Sequence, residues 1–153
     1  MRWDRMLDGI HDLVNSRGTP DVLVMHCGAN DLGELSAYKL RNIICMSFDN
    51  LHAQLPNTLL VWSQMLPRLS WREVNNASAM NSARVRVNRA VAAKVLALDG
   101  AYIKYPEISV FSHELFEQDG VHLSHLGNAI FLNNIQGALE YFLSTTNRIF
   151  PPV

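Results

Sequence analysis

The sequence predicts an α/β sandwich built on a parallel sheet, on three observations. Segments with helical apolar spacing alternate with short apolar runs, and the connections between the runs are long enough for helical crossovers. The first run is continuously apolar and valine-rich where it begins, rather than alternating. A strand of that kind is covered on both faces, which is the situation inside a parallel sheet between helical layers.

The elements follow in order. From Asp4 to Val14, the residues Met6, Leu7, Ile10, Leu13 and Val14 share one helical face, and Ser16, Gly18 and Pro20 close the segment, so a first helix ends near Arg17. Asp21 to Gly28 (DVLVMHCG) is the first strand. Between Ser36 and Leu55, Leu40, Ile43, Ile44, Phe48 and Leu51 recur at helical spacing, and Pro56-Asn57 stops that helix before a second strand, Thr58 to Met65. A loop with Pro67, Arg68, Ser70 and Trp71 comes next, continued by an Asn/Ser/Ala-rich polar stretch from Asn75 to Ser82. Ala83 to Leu98 is a helix striped by Val87, Ala90, Val91, Val95 and Leu98, with Gly100 just past its end. Ala101 to Tyr105 is the third strand. Ser124 caps a last helix running to about Ser144, with Leu126, Ile130, Ile135, Leu139 and Phe142 inward.

No linker, repeat or low-complexity block divides residues 1–153, so a single domain is expected. The charge is nearly balanced, 13 Lys+Arg against 14 Asp+Glu. A domain whose task is to neutralise phosphates carries a basic excess, so nucleic acid is not the expected partner. Cys27 and Cys45 form no disulfide framework and no metal-ligand spacing. Free thiols in a reducing, intracellular compartment follow, with no metal and no cofactor. No apolar run reaches the roughly 18 residues that span a bilayer, so no membrane is expected as partner.

In open α/β sheets ligands sit beyond the carboxyl ends of the strands, so residues after Cys27, Met65 and Tyr105 come first for chemistry. Gly28-Ala29-Asn30-Asp31 lies at the first of these ends. Gly28 allows close backbone approach, and the Asn30 amide is a neutral donor able to stabilise an oxyanion without titrating. Taken alone, the run reads more readily as a turn, because all these residue types favour turns and caps. Asp119-Gly120-Val121-His122 precedes the last helix. A bend at Gly120 lets the Asp119 carboxylate fix the His122 tautomer and stabilise the imidazolium, the arrangement of a general base. A lone D-x-x-H is more often a solvated helix-entry loop.

Other candidates carry less. His26 and Cys27 are adjacent on a strand and face opposite sides, which favours core packing. His125 accompanies His122 without a third ligand. Arg84, Arg86, Arg89 and Lys94 read as a solvated helix face, with a phosphate or nucleic-acid contact as the minority reading. Trp62, Met65 and Trp71 read as core or as the lining of an acyl pocket.

A strand followed by GAND, with a DGVHLS segment opening the final helix, resembles the SGNH hydrolases, also called GDSL-type esterases and lipases. Gly28 to Asp31 resembles the third block of that family and Asp119 to His122 the fifth. The resemblance implies a flavodoxin-like three-layer α/β/α sandwich. It also implies a small ester substrate, with Asn30 an oxyanion donor, Asp119 the orienting acid and His122 the base.

One departure stands out. The family's nucleophile is the serine of an N-terminal Gly-Asp-Ser block, and a second block supplies a glycine NH. No serine follows Gly-Asp in this chain, and no G-x-S-x-G elbow occurs. Ser63 falls inside a strand, Ser16 in a helix-ending turn, and Ser124 is a cap. The expectation is an N-terminally truncated domain, weakly active or inactive as it stands and an esterase in a longer form. The alternative is a non-catalytic binding or assembly module that keeps the fold. A missing first strand would also bare the edge of strand 22–28 to self-association or to pairing with a partner.

Overall fold

The computed structural model describes residues 2–72 and 74–152. After a 3-10 turn at Trp3–Arg5 the order is α1 (Met6–Arg17), β1 (Val22–Met25), α2 (Ala37–Gln54), β2 (Leu59–Ser63), α3 (Ala77–Ala97), β3 (Ala101–Ile103), a 3-10 turn at His113–Leu115, α4 (His125–Ser144) and β4 (Ile149–Phe150). The strands form one sheet in the order β1-β2-β3-β4, parallel throughout. Register is set by pairs such as Val24 with Val61 and Trp62 with Tyr102. The predicted α/β class with a parallel sheet is the observed one.

Two hydrophobic clusters, one on each face of the sheet, make this a three-layer sandwich. Met25, Leu60 and Trp62 join Ile10 of α1, Leu40, Ile44 and Phe48 of α2, and Val87, Val91 and Val95 of α3. Val61, Ala101 and Ile103 join Ala138 and Phe142 of α4. Successive strand residues therefore serve opposite layers, as a period of two requires.

Caps define where the long helices begin. Ser36 accepts from Lys39 N at 3.3 Å, Asn76 from Ala79 N at 2.9 Å, and Ser124 from Gly127 N at 3.2 Å. The cap at Asn76 corrects the sequence reading of residues 75–82 as loop. Their polarity conceals an apolar stripe of Ala77, Met80 and Ala83 that continues into Val87 and packs on the first cluster. Asn81 stays inside the helix by bonding back to Ala77 O at 3.1 Å. β4 was not expected, since two residues carry no readable period.

β1 is an edge strand, and this changes its burial. Val22, Leu23 and Val24 are only half-buried, and Met25 alone is fully covered, whereas the valine-rich run predicted cover on both faces. Asp21 O accepts from Leu59 N at 2.8 Å, so parallel alternation turns Leu23 and Met25 toward β2 and aims the backbone groups of Val22 and Val24 outward. No helix among the described residues is long and apolar enough to cross a membrane.

Candidate active site

Beyond β1 the chain turns sharply on Gly28, whose φ of +101° suits glycine. Gly28 O accepts from Asp31 N at 3.1 Å and Leu32 N at 3.2 Å. A side chain at this buried position would press on Ile44 Cδ1 and Met65 Sδ at 3.4 Å. The turn sends its two polar side chains to different tasks. Asp31 is buried and accepts from Trp3 N at 3.1 and 3.3 Å, and burial raises its pKa above the usual carboxylate value even though the Trp3 bond opposes the shift. Asn30 is exposed, and its Oδ1 accepts from Arg68 Nη2 at 2.7 Å. With the oxygen so engaged, the Asn30 NH2 is the end left to meet a ligand.

Asp119 and His122 are brought together as one unit. Asp119 Oδ2 lies 2.6 Å from His122 Nδ1, while Oδ1 accepts from Val121 N at 2.8 Å and His122 N at 2.9 Å. The bond from the His122 ring, followed by the two backbone donors, holds the Asp119 carboxyl at a pKa of about 2. An ionised carboxylate can only accept, so the neutral imidazole carries its proton on Nδ1 and leaves Nε2 as the basic nitrogen. The side chains are 78% and 48% exposed for His122 and Asp119, so a substrate can reach them. Ser124 anchors the following helix by donating to Glu114 O at 2.8 Å.

Among the described residues no hydrogen bond joins Asn30 to the Asp119–His122 pair. The loop after β2 stands between them and bonds to both sides. Arg68 holds Asn30, and the next two residues, Leu69 and Ser70, donate to Gly120 O at 2.8 and 3.2 Å. Gly120 has φ +67°, and a Cβ there would lie 3.0 Å from Leu69 Cβ and 3.1 Å from Ser70 N. This close approach fixes the Asp119 turn against the β2 loop.

Arg68 had no predicted role. Its one sequence signal was position, just past the end of a strand in a parallel sheet. Its guanidinium also lies over the Trp71 ring, 5.1 Å from the centroid. Arg84 corrects the reading of the basic stretch as a solvated face. It turns inward, with Nη1 donating to Met65 O at 2.8 Å and Nε to Asn81 Oδ1 at 3.3 Å, while Lys94 pairs with Asp49.

Trp62, Met65 and Trp71 are all buried in the first cluster, so they are core. His26 departs from its predicted core role, being an exposed residue whose Nδ1 bonds Ser63 Oγ at 2.9 Å, while Ser63 also meets Tyr105 Oη at 2.5 Å. Ser63 is fully buried and closed to substrate. Cys27 faces the opposite layer, and burial pushes its thiol up to about 12, well away from a reactive thiolate. Among the described residues no three His, Cys, Asp or Glu side chains gather to hold a metal.

The chain is similar to the solved structure of a GDSL-like lipase from Bacteroides thetaiotaomicron, with a TM-score of 0.69 and 17% identity over 90% of this chain and 68% of that one. At that identity the likeness is one of fold, and the fold is the flavodoxin-like α/β arrangement. No family model matches the chain, and no curated protein does.

Proposed function

We propose that this chain is an SGNH/GDSL-type hydrolase domain, weakly active or inactive as it stands, that in a full-length form hydrolyses a small ester through a Ser-His-Asp mechanism. The observation that carries the reading is the Asp119–His122 pair, whose carboxylate takes both the ring proton and two backbone NH groups. Nε2 of His122 would remove the proton of a serine hydroxyl as that oxygen attacks the ester carbonyl. It would return the proton to the departing alkoxide, and a water would repeat the sequence on the acyl-enzyme. Asn30 would donate its NH2 to the oxyanion, and Gly28 would set the turn that presents it.

Among the described residues no serine is hydrogen-bonded to the His122 ring, so this reading requires a serine nucleophile to be brought to Nε2 in the active form. Without it the remaining groups give catalysis orders of magnitude below a complete triad. A second reading, a non-catalytic assembly module that keeps the fold, is favoured by the outward backbone groups of Val22 and Val24 on the β1 edge.

The test is p-nitrophenyl acetate hydrolysis by the native polypeptide, with its start fixed by intact mass, alongside its His122→Ala variant. The hydrolase reading expects turnover that falls by about 10³-fold or more in the variant. A native product with no turnover, or turnover indifferent to His122, overturns it. Assembly at the edge predicts self-association in sedimentation that Val24→Pro abolishes, because proline deletes an outward NH without touching the ladder to β2.

A further inference from the structure

A groove of about 830 Å³ lies beside the candidate site, walled by the loop after β2, the first turns of α3 and the loop that follows β3. Its cationic lining is Arg68, Arg84 and Arg86, and none of its lining residues carries a carboxylate. Val85 and Phe111 supply apolar wall, and Phe111 is 88% exposed, an unusual position for a large ring with nothing packed on it.

Two of the three arginines are only partly exposed, and each bonds to neutral acceptors alone. Arg68 donates to Asn30 Oδ1, and Arg84 to Met65 O and Asn81 Oδ1. Asn81 ties them to one another, because it also accepts from Arg68 N at 3.2 Å and donates to Arg68 O at 2.8 Å. Among the described residues neither guanidinium belongs to a salt bridge. Burial lowers the pKa of both. For Arg68, the Arg72 charge deepens that shift and the Asp119 charge opposes it. Two partly desolvated cations in one groove, with no carboxylate in its lining and no salt bridge to either among the described residues, form a site suited to an anion.

We propose that this groove binds an amphiphilic anion, a phosphate or carboxylate head on an apolar body, with the head between Arg68 and Arg84 and the body along Val85 and Phe111. Because Arg68 also holds Asn30, a head group there sits beside the proposed oxyanion donor. The inference therefore narrows the substrate to an ester carrying an anionic group; it rests on the hydrolase reading for the reaction but not for the binding.

The experiment is calorimetric titration of the protein with octyl phosphate and with octanoate, each below its micelle concentration, against octyl glucoside as the neutral control and inorganic phosphate as the head alone. Saturable binding of at least one octyl anion is expected, about tenfold or more tighter than the glucoside and weakened about tenfold by Arg84→Gln. Which anion binds better identifies the head group. Equal binding of the glucoside, no binding of either anion, or anion binding unchanged in Arg84→Gln overturns the proposal. Should Arg84→Gln fail to fold, Arg86→Glu on the exposed face carries the same expectation and the same refutation. His122→Ala should bind the anion as the parent does. In that variant, lost hydrolysis with intact binding supports both readings. Parent protein that binds an octyl anion but does not turn over ester counts against the reaction alone, and parent protein that turns over p-nitrophenyl acetate but binds neither octyl anion counts against the groove alone.

Discussion

The carboxylate of Asp119 grips His122 twice, at the ring Nδ1 through Oδ2 and at the backbone N through Oδ1. One side chain thus sets both the tautomer of the imidazole and the path of the chain that carries it. Asp119→Asn keeps an Oδ1 acceptor for the backbone donors but replaces the anion facing Nδ1. In a hydrolytically competent form, kcat should fall by about 10⁴, the scale set by the same change in a serine-protease triad, with little loss in melting temperature. A drop in stability as large as the drop in rate would reduce Asp119 to a loop-forming residue.

The same carboxylate should titrate far below its ordinary value. Its folded pKa, about 2, lies under the ordinary carboxyl value of about 3.8. Its stabilising contribution is therefore complete above about 3.8 and is lost as pH falls toward 2. The Asp119 carboxyl carbon shift, followed by NMR on acidification, should remain that of the ionised form through pH 3. A midpoint near 4 would mean that the bond to His122 is absent in solution.

Two glycines should respond in opposite directions to alanine. Gly9 sits inside α1 with nothing within 4 Å of a Cβ, so Gly9→Ala should stabilise by about 0.5–1 kcal/mol through the entropy removed from the unfolded chain. Gly127 lies in the first turn of α4 against the Leu115 carbonyl, where a Cβ has no room. Gly127→Ala should cost about 1–3 kcal/mol, since backbone and not a flexible side chain must yield. Urea midpoints for the two variants check both signs.

How far the sequence could be read follows the physics of each element. Ser124 as a cap, and the long helices around Leu40 to Leu51 and Val87 to Val95, were legible because apolar period and capping chemistry agree there. Asp119 and His122 were legible because three residues of chain and a glycine bend fix their geometry locally. The start of α3 was not, because its stripe runs through alanine and methionine among polar neighbours. Nor was Arg68, whose partners Asn30 and Asn81 lie 38 and 13 residues away in the chain, at separations no local pattern encodes.

His26 should make stability depend on pH. Although His26 is exposed overall, its ring packs against Phe131 and Tyr105, and that desolvation lowers its pKa below 6.5, with the bond to Ser63 only partly opposing the shift. A depressed folded value means that no penalty exists above the unfolded pKa of about 6.5 and that stability is lost as pH falls from there through the folded pKa. His26→Gln should flatten that limb of the curve of unfolding free energy against pH. A limb equally steep in the variant would assign it to other groups.

Arg68 acts on Asn30 at one remove, and its contribution is separable from mere structure. Its guanidinium binds Asn30 Oδ1 at 2.7 Å while lying over Trp71, so the amide is held with NH2 outward. Arg68→Met preserves apolar contact with the indole and deletes the donor. The Asn30 side-chain amide resonances should then shift, because the amide oxygen loses the guanidinium that holds it. In a hydrolytically competent form acting on a neutral ester, kcat should fall about 10- to 100-fold with KM little changed, because the oxyanion contact strengthens only in the transition state. Arg68→Lys should recover only part of the loss, since an ammonium cannot match the planar fork that stacks and donates together. Unchanged Asn30 resonances, or a KM effect with kcat intact, would place Arg68 in substrate binding alone and leave the Asn30 amide to orient itself.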